Sequence, residues 1–174
     1  MRFSRADRSV SVDGLRTAAA LFAALLGGCA AGDEDRVLEV VHDACEPLHL
    51  VASGATDEER ASLDEAGAMW NAHGQTRITT AATRDARTLE VRFETAAPVF
   101  HGLYDDERGV VYVNHRLEDP RERAITIAHE LGHALGLWHV TDRDSVMNPA
   151  NLSLEPNDGD ADELELLWGR CPAP

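Results

Sequence analysis

The sequence contains no lysine. Its 16 basic residues are all arginines, and 31 acidic residues outnumber them, so the formal net charge is -15. A protein this acidic repels polyanions, which argues against nucleic acid and anionic membrane surfaces as electrostatic partners. The charge by itself indicates no substrate, and we attribute it to solubility.

An apolar segment near the start of the chain is too short to cross a membrane. It reads TAAALFAALLGG over Thr17–Gly28, which is 12 residues, whereas a spanning helix needs about 20. An arginine-rich leader precedes it, and a basic leader with a short apolar core is typical of an export signal. We therefore expect residues 1–28 to be a signal peptide.

The end of this segment, Leu26-Gly27-Gly28-Cys29, resembles the lipobox of bacterial lipoproteins. The resemblance implies cleavage before Cys29 and attachment of diacylglycerol to its sulfur, with residues 29–36 as a short tether. No aspartate follows Cys29 directly, which in that family favours the outer membrane over the inner one. We expect an exported protein held to the cell envelope by this lipid alone, facing the periplasm or the exterior. An ordinary signal peptide with an incidental cysteine is the alternative.

Cysteine is scarce, with three residues in the chain. Lipidation of Cys29 leaves an even pair, Cys45 near the start of the mature domain and Cys171 near its end. In an oxidising compartment we expect these two to form a disulfide, which would contribute about 4–5 kcal/mol by the chain-entropy model. The alternative is that Cys45 caps a metal as an inhibitory thiolate, but the propeptide motif that should flank such a cysteine is missing.

The remaining chain, residues 37–174, is long enough for one domain and alternates strand-like and helix-like patterns. This predicts an α+β fold. The expected strands are Pro47–Ala52, Arg77–Ala81, Thr88–Glu94, an edge segment at Pro98–Leu103, and Val110–Val113. The expected helices follow a Thr56 cap to about Ala72, follow an Asp119 cap to Leu135 or Gly136, and span about Asp160 to Trp168.

The second predicted helix carries the segment HELGHALGLWH. His129 and His133 are four residues apart, so they lie on the same face of a helix and can both reach one zinc ion at about 2.0–2.1 Å. Glu130 is one step round the helix, where its carboxylate can reach a metal-bound water without being a ligand.

A third histidine, His139, follows six residues after His133. On a continuous helix it would be turned by about 240° and would point away from the metal. It can bind only if the helix ends and the chain turns back, and Gly136 permits this turn because glycine adopts positive φ without strain. Three histidines leave one position open for water, which is typical of a catalytic zinc site.

The segment resembles the metzincin protease signature H-E-x-x-H-x-x-G-x-x-H at every fixed position. Metzincins also have a tight turn with a methionine beneath the metal, and Ser145-Val146-Met147-Asn148-Pro149 is similar to it. The short spacing from His139 to Met147 resembles the matrixin branch. The resemblance implies a zincin-like fold, with a small twisted mixed sheet, an active-site helix, a methionine turn and a C-terminal helix.

Two positions depart from the matrixin pattern. Val140 stands where matrixins usually have Ser or Thr. Matrixins hold a second, structural zinc through histidines in the edge strand and the next strand; His101 matches one such position, but Tyr112 occupies the other. We therefore expect one catalytic Zn²⁺, and we interpret His101 as a surface or substrate-facing residue.

The resemblance implies a monomeric zinc metalloendopeptidase that acts on extracytoplasmic proteins or peptides. Glu130 would be the general base for a zinc-activated water, and Met147 would pack under the ligands. Substrate would lie along the edge strand near Val99–Leu103, with Asn148–Leu152 forming a pocket wall. Two alternatives remain open: a catalytically silent zinc-binding module, and a lipoprotein in which zinc serves stability alone.

Overall fold

The computed structural model describes residues 37–149 and 153–172. The predicted signal peptide, Cys29 and the tether lie outside these residues. The described part contains five strands and three helices. In chain order they are β1 Pro47–Val51, α1 Asp57–Asn71, β2 Arg77–Thr79, β3 Arg87–Glu94, β4 Gly102–Asp105, β5 Val110–Asn114, α2 Pro120–Ala134 and α3 Asp158–Trp168.

The strands form one mixed sheet in the order β2-β1-β3-β5-β4. Neighbouring pairs among β2, β1, β3 and β5 are parallel, whereas β4 runs antiparallel to β5 at one edge. Alternate side chains of the inner strands enter a core that includes residues of α1 and α2. The predicted α+β class with a small mixed sheet is therefore confirmed.

Local sequence signals fix the beginnings of the helices. Thr56 and Glu59 form the predicted capping box of α1, in which each side chain bonds the backbone N–H of the other. Asp119 caps α2 and accepts a hydrogen bond from the Glu122 N–H. The third helix begins at Asp158, two residues earlier than predicted, because Asn157 forms its own capping box with Asp160.

The predicted edge segment Pro98–Leu103 is placed wrongly. Its first residues form a turn in which the Phe100 N–H donates to the Ala97 carbonyl. The Asn114 amide also donates to the Ala97 and Phe100 carbonyls. Because a side chain satisfies these groups, pairing in the sheet begins only at Gly102 and continues to Asp105.

The predicted disulfide is present. It joins Cys45 to Cys171 across a sequence separation of 126 residues, with the two Cα atoms 5.0 Å apart. The link connects the segment before β1 to the segment after α3. Among the described residues, no helix is both long and apolar enough to traverse a bilayer.

Candidate metal centre

Helix α2 presents His129 and His133 on one face, one turn apart. Their ring centroids are 5.0 Å apart and the rings are nearly perpendicular. His129 is buried, with 3 % of its surface exposed. The helix thus supplies two imidazoles from a rigid element, as their spacing of four residues predicts.

The chain leaves α2 at Gly136, whose φ is +97°. Two hydrogen bonds close this end: Gly136 N–H donates to the His133 carbonyl and Leu137 N–H donates to the Gly132 carbonyl, both at 2.9 Å. This pair of bonds is a Schellman motif, which needs a residue with positive φ after the helix. The turn reverses the chain and brings His139 back to the face that carries the other two histidines.

The Nε2 atoms of the three histidines converge. Nε2 of His139 lies 3.2 Å from Nε2 of His129 and 3.1 Å from Nε2 of His133. Tetrahedral zinc with bonds of about 2.0–2.1 Å would place neighbouring ligands about 3.3–3.4 Å apart. The donor set therefore fits one zinc ion with little adjustment.

The remaining ring nitrogens of two ligands are held by backbone carbonyls. Nδ1 of His129 is 2.7 Å from the Val146 oxygen, and Nδ1 of His133 is 2.9 Å from the Leu137 oxygen. A carbonyl only accepts, so each Nδ1 carries the hydrogen and donates it. The Nε2 lone pairs of the neutral rings are consequently left facing the common point, which is the tautomer a metal requires.

Burial keeps the ligand rings neutral. It lowers the pKa of His129 to about 4 and that of His133 to about 3, and it also lowers the pKa of the more exposed His139. Neutral imidazole is the form that binds a metal. At pH 7 the site therefore offers three unprotonated donors.

Met147 is fully buried and packs against α2 at Gly132. A Cβ built at Gly132 would overlap its sulfur and would lie 3.1 Å from its terminal methyl carbon. The turn can therefore approach α2 this closely because residue 132 is glycine. The Val140 N–H donates to the Met147 carbonyl at 3.0 Å and so joins the segment after His139 to the turn.

The methionine turn is anchored to α3 by Asp160, which is completely buried. The Asp160 carboxylate accepts hydrogen bonds from the Ser145 hydroxyl, the Val146 N–H and the Arg143 guanidinium. Arg143 also contacts Glu163, at 2.8 Å. Sequence reasoning did not find this network. The N-x-x-D capping signal at Asn157 marks Asp160 as a cap residue, but nothing local links it to the turn.

Glu130 points toward the edge strand and is 7 % exposed. Burial raises its pKa to about 8, although a hydrogen bond from the Tyr104 backbone N–H opposes the rise. A Cβ built at Gly102 would lie 2.8 Å from Oε1 of Glu130. The carboxylate next to the ligands therefore lies directly against β4.

Other residues singled out in the sequence lie apart from this group. The nearest acidic partner of His101 is Glu122, with Nδ1 and Oε1 3.5 Å apart, and His101 is not among the three histidines that converge. Of the expected pocket wall Asn148–Leu152, residues 150–152 lie outside the described part of the chain.

Three features of the site resemble the metzincin class of metalloproteases. They are a helix with the H-E-x-x-H pattern, a glycine turn that brings back a third histidine, and a turn with a buried methionine. Residues 104–165, somewhat over a third of the chain, match the matrixin family of peptidases, M10. This match and the three converging histidines support a matrixin-like metzincin, and they suggest a metalloprotease with zinc as its metal. No curated protein matches the chain.

Proposed function

We propose that the protein is a zinc-dependent endopeptidase in which His129, His133 and His139 hold one catalytic zinc and Glu130 is the general base. The observation that carries the proposal is that the Nε2 atoms of His129 and His133 lie 3.2 and 3.1 Å from Nε2 of His139. A module that only bound zinc, without catalysis, would not need the buried carboxylate of Glu130 next to the ligand His129.

The chemistry divides between the metal and the chain. When bound, zinc supplies a Lewis acid that polarises a carbonyl and lowers the pKa of a bound water toward about 7. Glu130 accepts the proton of the attacking water and returns it to the leaving amine. The Tyr104 N–H holds the Glu130 carboxylate against β4.

The substrate is an extended peptide that pairs with the sheet edge. Strand β4 occupies this edge and runs antiparallel to β5. A peptide added to β4 by backbone hydrogen bonds would pass beside Glu130, which already contacts Gly102. The proposed binding strand is therefore Gly102–Asp105 rather than the Val99–Leu103 segment expected from the sequence.

The test is a comparison of Glu130→Gln with Glu122→Gln. Glu122 lies two turns earlier on α2, is partly exposed and contacts His101. We expect Glu130→Gln to keep stoichiometric zinc and to lose activity by about 100- to 10,000-fold. Glu122→Gln should remain active, and full activity of Glu130→Gln would sink the assignment.

The substrate should be a peptide library with acetylated N-termini and amidated C-termini. An endopeptidase cleaves such blocked peptides, whereas an exopeptidase needs a free terminus. Absence of cleavage by the zinc-loaded wild type would favour a silent binding module. Loss of folding on chelation, in a protein without activity, would favour zinc as a stabilising ion alone.

We also propose export and lipid attachment at Cys29, with the protein acting as a monomer. The Cys45–Cys171 disulfide supports export, because such bonds persist in oxidising compartments. Expression of the full chain in a bacterium fed with labelled palmitate tests the attachment. Label should appear on the wild type and be absent from Cys29→Ser.

A further inference from the structure

Two segments that are far apart in the sequence donate hydrogen bonds to carbonyls at the C-terminal end of α2. The His42 N–H donates to the Ala134 carbonyl, and Nε1 of Trp168 donates to the Leu135 carbonyl, each at 2.8 Å. Carbonyls in the last turn of a helix have no partner within the helix. One backbone group and one side chain therefore fix where α2 ends.

The same two segments enclose the turn at Gly136. A Cβ built on this glycine would be 3.7 Å from Leu167 and Trp168 and 3.9 Å from Val41. These are ordinary contact distances, so the turn lies directly between the two segments. This is the turn that directs His139 back to the other ligands.

The disulfide joins these segments to each other. Cys45 follows His42 by three residues, and Cys171 follows Trp168 by three residues. We name residues 41–45 and 167–171, with their disulfide, the terminal clasp. It flanks the end of α2, the helix that carries His129 and His133.

Apolar burial holds the terminal clasp only in part, since Ala44 is in the core but the side chains that flank the turn are more exposed. Leu167 is 54 % exposed and Val41 is 37 % exposed, while Trp168 is only partly buried against the core. The neighbouring Leu166 is 87 % exposed. The covalent bond therefore adds to the hydrogen bonds a constraint on the two segments that the exposed side chains beside the turn do not supply.

We propose that the terminal clasp is a positioning device for His139, so that the Cys45–Cys171 disulfide and Trp168 set the affinity of the site for zinc. His129 lies within the helix, one turn before its end. His133 lies in the last turn, and its Nδ1 donates to the Leu137 carbonyl just beyond Gly136, so it depends on the turn in part. His139 lies wholly beyond the turn and depends on the clasp most. The inference rests on the proposed zinc site. It means that the position of His139 is supported by a bond between residues near the two ends of the domain, Cys45 and Cys171.

The test measures zinc Kd by chelator competition, together with the melting temperature, on the full chain. The variants are Cys45→Ser/Cys171→Ser and Trp168→Phe. Phenylalanine keeps an aromatic side chain but lacks the Nε1 donor and the part of the indole that faces Gly136. Loss of a support behind a metal ligand weakens metal binding by about 10- to 100-fold, and we expect this change in the double variant and a smaller one in Trp168→Phe. If the double variant does not fold, Trp168→Phe still decides the question.

A destabilised control separates positioning from general stability. Leu63 is buried in α1 next to Ser62, which contacts the Pro120 carbonyl at the opposite end of α2. Leu63→Ala should lower the melting temperature and leave zinc Kd unchanged. Equal zinc Kd in the wild type and both clasp variants, with lowered melting temperatures, would overturn the proposal.

A double-mutant cycle locates the effect at His139. In a His139→Ala background, removal of the disulfide should change zinc Kd by less than it does in the wild type, because the ligand that depends on the clasp most is gone. A weakening of equal size in both backgrounds would overturn the assignment to His139. Failure of the wild type to bind zinc would overturn the proposed function, and the clasp with it.

Discussion

The carboxylate of Asp160 accepts a hydrogen bond from the Val146 backbone N–H, with 3.1 Å between Oδ2 and the nitrogen. The carbonyl of the same Val146 accepts the Nδ1 hydrogen of His129. The first turn of α3 therefore acts on a metal ligand through a single residue, Val146.

Replacement of Asp160 by Asn should weaken zinc binding. Asn has one acceptor oxygen where Asp160 uses two, so it cannot accept both the Ser145 hydroxyl hydrogen and the Val146 N–H, and the segment behind His129 loses part of its anchor. We expect zinc Kd to rise by about 10- to 100-fold and the free energy of unfolding to fall by about 1–3 kcal/mol. Calorimetric titration and urea denaturation measure the two effects.

Glu163→Gln is the matched control for that substitution. Glu163 also contacts Arg143, but it is partly exposed, and among the described residues no hydrogen bond joins it to the methionine turn. Its zinc affinity should equal that of the wild type. Equal losses of affinity in both variants would show that Arg143, rather than the turn, carries the effect.

Gly132→Ala should disturb the methionine turn. The added methyl group overlaps the Met147 sulfur and approaches Trp70 to 3.3 Å. Overpacking of this kind costs about 1–3 kcal/mol, which exceeds the helix-propensity gain of up to about 1 kcal/mol. Thermal denaturation should therefore show a lower melting temperature. In a Met147→Ala background the cost should shrink, and an unchanged cost would contradict the overlap.

Gly136→Ala should reduce zinc affinity through backbone strain. The site has space for a methyl group, but φ of +97° disfavours any residue with a Cβ by about 1–2 kcal/mol. Gly74→Ala is the control, because Gly74 ends α1 at φ +75° with open space around it. Both should lower the melting temperature, and only Gly136→Ala should raise zinc Kd.

The metal-free protein should lose stability with rising pH because of Glu130. Its pKa is raised from 4.5 to about 8 by burial. The native state therefore keeps a proton that the unfolded chain releases, and this contribution is complete below pH 4.5 and is lost as pH rises through about 8. In chelator, Glu130→Gln should match the wild type near pH 4 and exceed it near pH 9, by up to about 5 kcal/mol. Urea denaturation at both pH values measures this, and parallel pH profiles would contradict it.

Structural features could be predicted from the sequence where the residues that form them lie within one helical turn or one short loop. The Thr56–Glu59 capping box, the pair His129 and His133, and the return at Gly136 each depend on residues a few positions apart. Short-range rules of helix geometry and capping apply directly to such groups.

The features that could not be predicted depend on contacts between segments that are far apart in the sequence. The edge strand begins later in the chain than predicted because the Asn114 side chain donates hydrogen bonds to the carbonyls of Ala97 and Phe100. No local sequence pattern shows this contact. The Trp168 donor and the Leu135 carbonyl are 33 residues apart, so sequence periodicity carries no information about their pairing. A disulfide could be inferred from the cysteine count, but not which part of the site it encloses.

The position of β4 at the border of the sheet has a consequence for handling the protein. A border strand that can receive a peptide can also receive the same strand of a second copy, and natural proteins suppress this with charge. Here the net charge of -15 keeps copies apart at low ionic strength. At about 1 M salt the screening length shrinks to about 3 Å, so concentrated samples should self-associate there, and dilute salt is the better storage medium.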